Sequence, residues 1–250
     1  MEKEKKIYFA SDFHLGVPTY EKSRERENKI VRWLNQIEKD ASEIFLVGDL
    51  FDFWFEHQHT SPKGYLRFLG KLAEISDKGI PIHVFTGNHD MWMFDYLPKE
   101  LGIKLYRNNI QRTFNGKYFL IGHGDGLGPG DKQYKFLKNF FASKTCQWLF
   151  ARLHPNLSFG IANYFSRRSR AVTGHKDEIF QGEEKEWLLI YCKEYLKKEN
   201  INYFVFGHRH LPLQIQITGD SSYINLGDWL QHFTYGVFDG EKFELKKFEN

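Results

Sequence analysis

Five apolar, strand-like runs in this chain each end where an Asp, Asn or His follows, usually after a glycine. The runs are Ile7–Ala10, Glu43–Val47, Ile82–Thr86, Lys117–Ile121 and Tyr203–Phe206. Apolar residues between the runs recur at helical spacing, and one such stripe faces a sheet in the predicted fold. That stripe is Ile30, Trp33, Leu34 and Ile37. Strands that alternate with helices predict an α/β fold.

Four helices are expected, at Tyr20–Lys39, Gly64–Lys78, Met91–Leu101 and Glu183–Glu199. The C-terminal part changes to shorter apolar runs at Leu213–Ile217, Tyr223–Asn225, Tyr235–Phe238 and Phe243–Phe248. Asp239 and Gly240 separate the last two runs and predict a hairpin turn. We therefore expect mixed or antiparallel strand pairing in this part of the chain.

The polar residues that follow the runs form a candidate metal site. In an extended strand end the side chains at i and i+2 point to one side, so His208 and His210 should lie together while Arg209 points away. Ligands of open α/β sheets sit at the carboxyl ends of strands, and we expect these groups to converge there. The expected ligands are Asp12, His14, Asp49, Asn88, His123, His208 and His210.

This set of ligands exceeds the need of one ion, and a carboxylate can bridge two. Asp49 would be shared between two sets of ligands, namely Asp12, His14 and His210 in one and Asn88, His123 and His208 in the other. Mixed imidazole and oxygen donors suit Mn²⁺, with Fe or Zn²⁺ as alternatives, better than Ca²⁺. Two divalent metal ions stabilise the attacking and leaving oxygens of a phosphoryl displacement. The pattern thus predicts hydrolysis of a phosphate ester or anhydride.

These blocks resemble the five signature motifs of the calcineurin-like metallophosphoesterases, in the same order. They read DFH at 12–14, GD at 48–49, GNHD at 87–90, GH at 122–123 and GHRH at 207–210. The resemblance covers about 200 of the 250 residues. It implies a four-layer sandwich of two mixed β-sheets flanked by helices. It also implies that His89 stabilises charge or protonates the leaving group near the scissile phosphate, with Asp90 as its orienting partner.

The stretches GDLFDFWF and HGDGLGPGDKQYKFLK are similar to the UDP-2,3-diacylglucosamine diphosphatases of lipid A biosynthesis within that family. The similarity implies cleavage of this lipidated nucleotide sugar to UMP and lipid X, the diacylglucosamine 1-phosphate. The implied substrate contacts are Asn88, His89, Asp131, Ser169, Thr173, Lys176 and His208. The chain departs from these enzymes in carrying His89 in place of Arg and Thr173 in place of Asn. His89 favours the alternative of a soluble phosphodiester or phosphomonoester, and a non-catalytic scaffold is disfavoured by the complete ligand set.

Residues 132–176, here called the cap segment, have a distinctive composition. They contain nine Lys and Arg and no Asp or Glu, whereas the rest of the chain is acidic, within a total net charge of +3. Aromatic and aliphatic residues are interleaved with these cations. We interpret the cap segment as a helical insertion in a single domain that spans residues 1–250.

An apolar, basic insertion suits a lid that encloses acyl chains and rests on an anionic membrane surface. Arg167, Arg168 and Arg170 would then bind a diphosphate or lipid headgroups. Two alternatives stay open: the apolar residues form a small core of their own, which is compatible with a lid, and the arginines form a solvated turn. Lipid ranks above nucleic acid as a partner because the rest of the chain is acidic.

The remaining composition bounds the setting of the protein. Of 250 residues, 41% are hydrophobic and 17% aromatic, which suffices for a sizeable core. Two cysteines, Cys146 and Cys192, make no disulfide framework, and we expect both to be buried in a protein of a reducing compartment. No signal peptide or run of about 18 apolar residues is visible. We expect a cytoplasmic chain, peripherally associated with the cytoplasmic face of the inner membrane.

Other conspicuous side chains have ordinary explanations. Trp54 and Trp229 lie beside ligand loops and are expected to serve packing. A single histidine is more often a surface or core residue than a metal ligand. That expectation applies to His57, His59, His83, His154, His175 and His232.

Overall fold

The computed structural model describes residues 5–129, 132–162, 164 and 179–249. Its strands form two mixed sheets. The first sheet contains, in spatial order, β11 (Phe243–Lys247), β10 (Thr234–Phe238), β1 (Lys6–Ala10), β2 (Ala41–Val47), β3 (Ile82–Phe85) and β4 (Lys104–Tyr106). The second contains β5 (Ile110–Phe114), β6 (Lys117–Ile121), β7 (Tyr203–Phe206), β9 (Ser222–Leu226) and β8 (Pro212–Gln216).

Helices cover the outer faces of both sheets. The helices are α1 (Tyr20–Ile37), α2 (Leu66–Asp77), α3 (Tyr96–Leu101), α4 (Lys132–Ala142), α5 (Lys144–Ala151) and α6 (Trp187–Leu196). Residues 155–162 are helical as well. None of the helices in the described part of the chain is long and apolar enough to cross a bilayer.

Three apolar clusters define four layers. The faces of the two sheets meet through aromatic side chains, with Phe9 stacked 5.1 Å from Phe45 and 6.1 Å from Phe119 between ring centroids. Trp33 of α1 belongs to the cluster on the outer face of the first sheet, and Leu189 of α6 to the cluster on the outer face of the second. The fold class predicted from the sequence is confirmed.

The predicted stripe on α1 is confirmed in detail. Ile30, Trp33, Leu34 and Ile37 are all at most 1% exposed. The helix begins where the Thr19 hydroxyl accepts a hydrogen bond from the backbone N–H of Lys22, which satisfies one of the free amides of the first turn. Local capping and tertiary burial therefore agree on the same helix.

The hairpin at Asp239 is also confirmed, since β10 and β11 are antiparallel and pair Phe238 with Phe243. Other boundaries differ from the prediction. β4 and β5 were not predicted, because β4 spans only Lys104–Tyr106 and β5 is largely half-exposed. α3 begins at Tyr96 and not at Met91, since the preceding residues turn. α6 begins at Trp187 and not at Glu183, and the residue before it, Glu186, has an extended backbone.

Candidate metal centre

The candidate ligands lie at one edge of the molecule, where parallel strands of both sheets end. Asp12, Asp49 and Asn88 follow β1, β2 and β3 of the first sheet, and His123 and His208 follow β6 and β7 of the second. The structure brings their side chains into two groups in which potential ligand atoms lie within 4.8 Å of one another. The groups are Asp12, His14, Asp49 and His210, and Asp49, His123 and His208.

The backbone at these positions is left-handed. Positive φ angles occur at Asp12 (56°), His14 (43°), Asp49 (52°), His208 (70°) and His210 (52°). The expectation of an extended strand end is therefore wrong, although the side chains do turn to one site. Left-handed backbone costs non-glycine residues about 1–3 kcal/mol each and persists where surrounding structure enforces it. This backbone conformation turns the side chains of the candidate ligands toward the site.

In the first group, imidazole nitrogens and a carboxylate oxygen lie close together in a buried site. His14 Nε2 lies 3.0 Å from His210 Nε2, and Asp12 Oδ1 lies 3.2 Å from His210 Nε2. Asp12 Oδ1 is buried and makes no hydrogen bond of acceptable geometry in the described part of the chain. An unsatisfied buried carboxylate oxygen beside two imidazoles fits the demands of a cation.

Asp49 stands between the two groups. Its Oδ2 lies 3.7 Å from His14 Nε2 and 3.3 Å from His123 Nε2. Asn88 Oδ1 lies 3.3 Å from the same nitrogen of His123, and the His208 ring centroid is 5.2 Å from that of His123. The positions fit the sharing of one carboxylate between two ions.

Backbone amides fix one oxygen of each central carboxylate. The N–H of His89 donates to Asp49 Oδ1 at 2.8 Å, and the N–H of His208 donates to Asp12 Oδ2 at 2.9 Å. Gly87 lies against Asp49, where a Cβ would collide with the carboxylate. The other oxygen of each carboxylate is thereby directed at the imidazoles.

Outer groups act on the histidines of both ligand groups. His123 Nδ1 lies 2.9 Å from the carbonyl oxygen of Val47, to which it donates, and this leaves the Nε2 lone pair for a ligand role. His210 Nδ1 lies 3.7 Å from Oδ2 of the fully buried Asp228, beyond hydrogen-bond distance, so Asp228 acts on His210 through its charge. Asp228 was missed from the sequence, although it follows β9 and Gly227 in the same pattern as the predicted ligands.

The electrostatics divide the histidines of the metal-free centre: burial lowers the pKa of His14 and lowers that of His208 to about 4, whereas, against the effect of burial, carboxylates raise the pKa values of His123 and His210. Burial opposes ionisation of Asp12, but the imidazoles of His14 and His210 outweigh it and lower the pKa of Asp12. Burial likewise opposes the charge on His123, yet Asp49 raises the pKa of His123 to about 10. Cations displace such protons when they bind, so metal affinity should rise with pH.

His89 and Asp90 do not pair as expected. The Asp90 carboxylate accepts hydrogen bonds from the backbone N–H groups of Leu50 at 2.7 Å and Gly87 at 2.7 Å. Burial, and then the charge of Asp49, raises the pKa of Asp90 to about 7. His89 Nδ1 instead lies 3.0 Å from the Asp52 carbonyl oxygen and 3.4 Å from its carboxylate. Asp52 therefore takes the orienting position that the sequence suggested for Asp90. Asp90 instead holds the loop that follows Asp49, through hydrogen bonds from backbone amides.

Arg209 points away from the centre, as predicted. Its guanidinium NH2 lies 3.2 Å from Oε2 of Glu186, and both residues are buried. Tyr223 donates its hydroxyl to Oε1 of the same carboxylate at 3.2 Å. A buried, hydrogen-bonded ion pair thus anchors the loop that carries His208 and His210.

The cap segment is partly packed and partly exposed. Phe150 of α5 packs 4.6 Å from Trp92, and Phe159 packs 5.3 Å from Phe53, between ring centroids. Phe136 and Trp148 are 71% and 56% exposed. The prediction of a separate small core is therefore wrong for the described part of the cap segment, because its aromatic side chains pack against the main body and none joins a buried apolar cluster.

Several predicted residues have other outcomes. Asp131, Ser169, Thr173, Lys176, Arg167, Arg168, Arg170 and His175 lie outside the described residues. Trp54 and Trp229 are buried in packing clusters, as expected. Cys192 is buried, but Cys146 is only half-buried, which corrects its prediction. His83 stacks on Phe45 and, like the other described histidines taken as ordinary, joins none of the clusters with metal-type geometry found there.

Replacing Asp228 with Asn should weaken metal binding without unfolding the protein. The variant loses the negative charge beside His210 Nδ1, and such outer partners typically change metal affinity by about tenfold or more. Titration of the metal-free protein with Mn²⁺ measures the effect. His232→Ala is the control, since His232 Nδ1 contacts Asp228 Oδ1 at 3.2 Å but belongs to neither ligand group. Equal affinities of Asp228→Asn and wild type would contradict the role of the Asp228 charge.

Known proteins resemble this chain over nearly its whole length. A family model described as calcineurin-like phosphoesterase matches residues 5–212. A UDP-2,3-diacylglucosamine hydrolase of Porphyromonas gingivalis (strain ATCC BAA-308 / W83) is 36% identical and covers 98% of each chain. A protein of the same name from Histophilus somni (strain 129Pt) is 26% identical over 90% of this chain and 92% of its own. The solved structure of the E. coli phosphoesterase Yfce aligns with 98% of this chain and 93% of its own, at 15% identity and a TM-score of 0.48.

Proposed function

Because this chain belongs to the calcineurin-like phosphoesterase family, we propose that it is a metal-dependent hydrolase of UDP-2,3-diacylglucosamine. The reaction would cleave the diphosphate and release UMP and lipid X. The observation that best supports this reaction is that Asp49 belongs to both ligand groups. The substrate is supported by the Porphyromonas gingivalis relative, which matches 98% of this chain and therefore spans both the ligand loops and the cap segment.

The proposed ligands are Asp12, His14 and His210 in one group and Asn88, His123 and His208 in the other, with Asp49 in both, and the proximity of their side chains supports this assignment. Two divalent ions bound there, Mn²⁺ in our proposal, would supply Lewis-acid stabilisation of phosphate charge and a more acidic water. Asn88 and His208 would contact the substrate from the second group. His89 is 17% exposed at the edge of the centre, and its ring centroid lies 4.9 Å from that of His14. With Nδ1 directed at Asp52, His89 would act on a scissile phosphate through Nε2.

Purified protein with Mn²⁺ should release UMP from UDP-2,3-diacylglucosamine in preference to unacylated substrates. Acyl chains contribute apolar surface that the cap segment can bury, so we expect kcat/KM to exceed that for UDP-N-acetylglucosamine by at least about tenfold. The measurement compares both nucleotides with a small chromogenic phosphodiester. Equal or faster turnover of the small ester would replace the lipid substrate with a soluble one and leave the hydrolase assignment intact.

We further propose that the cap segment places the protein on the cytoplasmic face of the inner membrane. Exposed Phe136 and Phe140 lie on α4, and exposed Trp148 lies on α5 beneath the Arg152 guanidinium, 4.8 Å from its ring centroid. Aromatic side chains among cations favour anionic lipid interfaces.

Phe136→Ser should therefore weaken binding to vesicles that contain phosphatidylglycerol by about tenfold, the cost of leaving one aromatic side chain in water. Co-sedimentation with such vesicles, and with neutral phosphatidylcholine vesicles, measures the effect. Tyr118→Ser removes an aromatic residue of similar exposure, 53%, on β6 and is the control. Identical losses in the two variants would argue against a specific membrane face.

A further inference from the structure

Two cavities flank the candidate metal centre on different sides. One, of about 300 Å³, adjoins His123 of the second ligand group and is lined by Thr86, Arg107, Asn108, Asn109 and Lys138. The other, of about 370 Å³, adjoins Asp52 and is lined by Phe53, Tyr65, Pro155 and Phe159 among others. Asp52 Oδ1 lies 3.9 Å from His14 Nδ1 of the first group. A diphosphate seated on the centre would thus have a cavity beside each half.

The chemistry of the two linings differs. The cavity beside His123 is lined mainly by polar and charged side chains, including the Asp125 carboxylate, with Phe85 and Leu127 as its apolar members. The cavity beside Asp52 combines three aromatic rings and two prolines with the polar side chains of Thr60, Ser61, Lys63 and Asn156. The halves of a lipidated nucleotide sugar differ in the same way. A nucleobase offers several hydrogen-bonding groups on its edge, and acyl chains offer none.

We propose that the cavity beside His123 is the nucleoside subsite of this enzyme and that Asn108 reads the base. This inference rests on the proposed function and adds the direction in which the substrate lies. Uracil presents one N–H donor between two carbonyl acceptors, and a carboxamide carries one acceptor and two donors. The Asn108 side chain makes no hydrogen bond within the described residues, so its donors and acceptor are available to a ligand.

The surrounding residues are already held in place. Arg107 donates to the carbonyl oxygen of Met91 at 3.1 Å, and Lys138 Nζ lies 2.6 Å from Asp125 Oδ2. Arg107 follows β4 and Lys138 lies on α4, and Asp125, which also lines the cavity, offsets the charge of Lys138. The cavity is therefore polar without a large net charge, which suits an uncharged nucleobase and ribose. The cavity also opens at the carboxyl ends of β3 and β6, the edge at which α/β sheets bind ligands.

The test compares UMP with CMP, which share ribose and phosphate but differ in the donor and acceptor pattern of the base. Each nucleotide is titrated into Mn²⁺-loaded wild-type protein, Asn108→Ala and Asn139→Ala by calorimetry. We expect wild type to prefer UMP, and Asn108→Ala to bind UMP about tenfold more weakly, the loss of one or two hydrogen bonds. Asn139→Ala removes an exposed amide from α4 outside the cavity and should match wild type.

Unchanged UMP affinity in Asn108→Ala would overturn the subsite, and so would equal affinities of wild type for UMP and CMP. Hydrolysis of UDP-2,3-diacylglucosamine is measured in parallel on wild type and separates the two proposals. If wild type cleaves this substrate but UMP binding ignores Asn108, only the subsite fails. If wild type does not cleave it while UMP binding depends on Asn108, the lipid substrate fails and the nucleoside subsite stands.

Discussion

Asp49→Ala is expected to lower turnover of UDP-2,3-diacylglucosamine by about a thousandfold or more, equivalent to about 4 kcal/mol of lost transition-state stabilisation. Asp49 is the residue common to both ligand groups, and its Oδ2 lies within 3.7 Å of His14 Nε2 and 3.3 Å of His123 Nε2. The variant removes one metal-ligating carboxylate from both ligand groups at once. It also removes the acceptor for the backbone N–H of His89.

Turnover and metal content must be measured together for this variant. We expect the loss of activity to be accompanied by loss of bound Mn²⁺ and of the rise in melting temperature that Mn²⁺ gives wild type, since binding to the folded state alone stabilises it. Asp220→Ala, which removes an exposed carboxylate that belongs to neither ligand group, is the control. Normal turnover of Asp49→Ala would end the dinuclear mechanism.

The sequence was most informative where local pattern and burial coincide. The stripe of α1 and the turn at Asp239 follow from spacing and residue type alone, and both are present. β4 was not predicted because it has only three residues and lies at the edge of the sheet. Its exposed and half-buried side chains show no alternation of apolar and polar residues. The start of α6 was misplaced because Glu186 has a tertiary partner, Arg209, distant in the chain.

The candidate site shows the same division. Residue types at strand ends indicated the ligands, because parallel strands must bring their carboxyl ends together. The left-handed backbone at Asp12 and Asp49 was invisible to an argument from strand geometry. Asp52 and Asp90 are both followed by apolar side chains in the sequence, and only the fold shows that Asp52 faces His89 while Asp90 accepts backbone amides. The residues that orient the ligands come from distant parts of the chain, and the spacing of residues in the sequence does not show which of them meet in the fold.

His89→Ala is expected to reduce turnover by about a hundredfold, within the usual contribution of one positioned acid or charge, and to leave metal content unchanged. His89 lies beside the ligands, with Nδ1 held by Asp52 at 3.0 Å from its carbonyl oxygen. Retained metal with lost turnover would separate His89 from Asp49, whose replacement removes both. Loss of Mn²⁺ in His89→Ala would instead make His89 a ligand, as its proximity to His14 and Asp52 allows geometrically.

His89→Arg separates the two roles open to this imidazole. The leaving group of a diphosphate is a phosphate monoester, whose second pKa is about 6, and it departs without a proton at neutral pH. We therefore expect His89 to act by stabilising charge, so that His89→Arg retains turnover of UDP-2,3-diacylglucosamine within about tenfold of wild type because the arginine supplies a permanent cation. A small phosphodiester with a poor leaving group should lose far more in this variant, because arginine cannot donate a proton at this pH. Equal inactivity of His89→Arg and His89→Ala on the diphosphate would assign His89 to proton transfer.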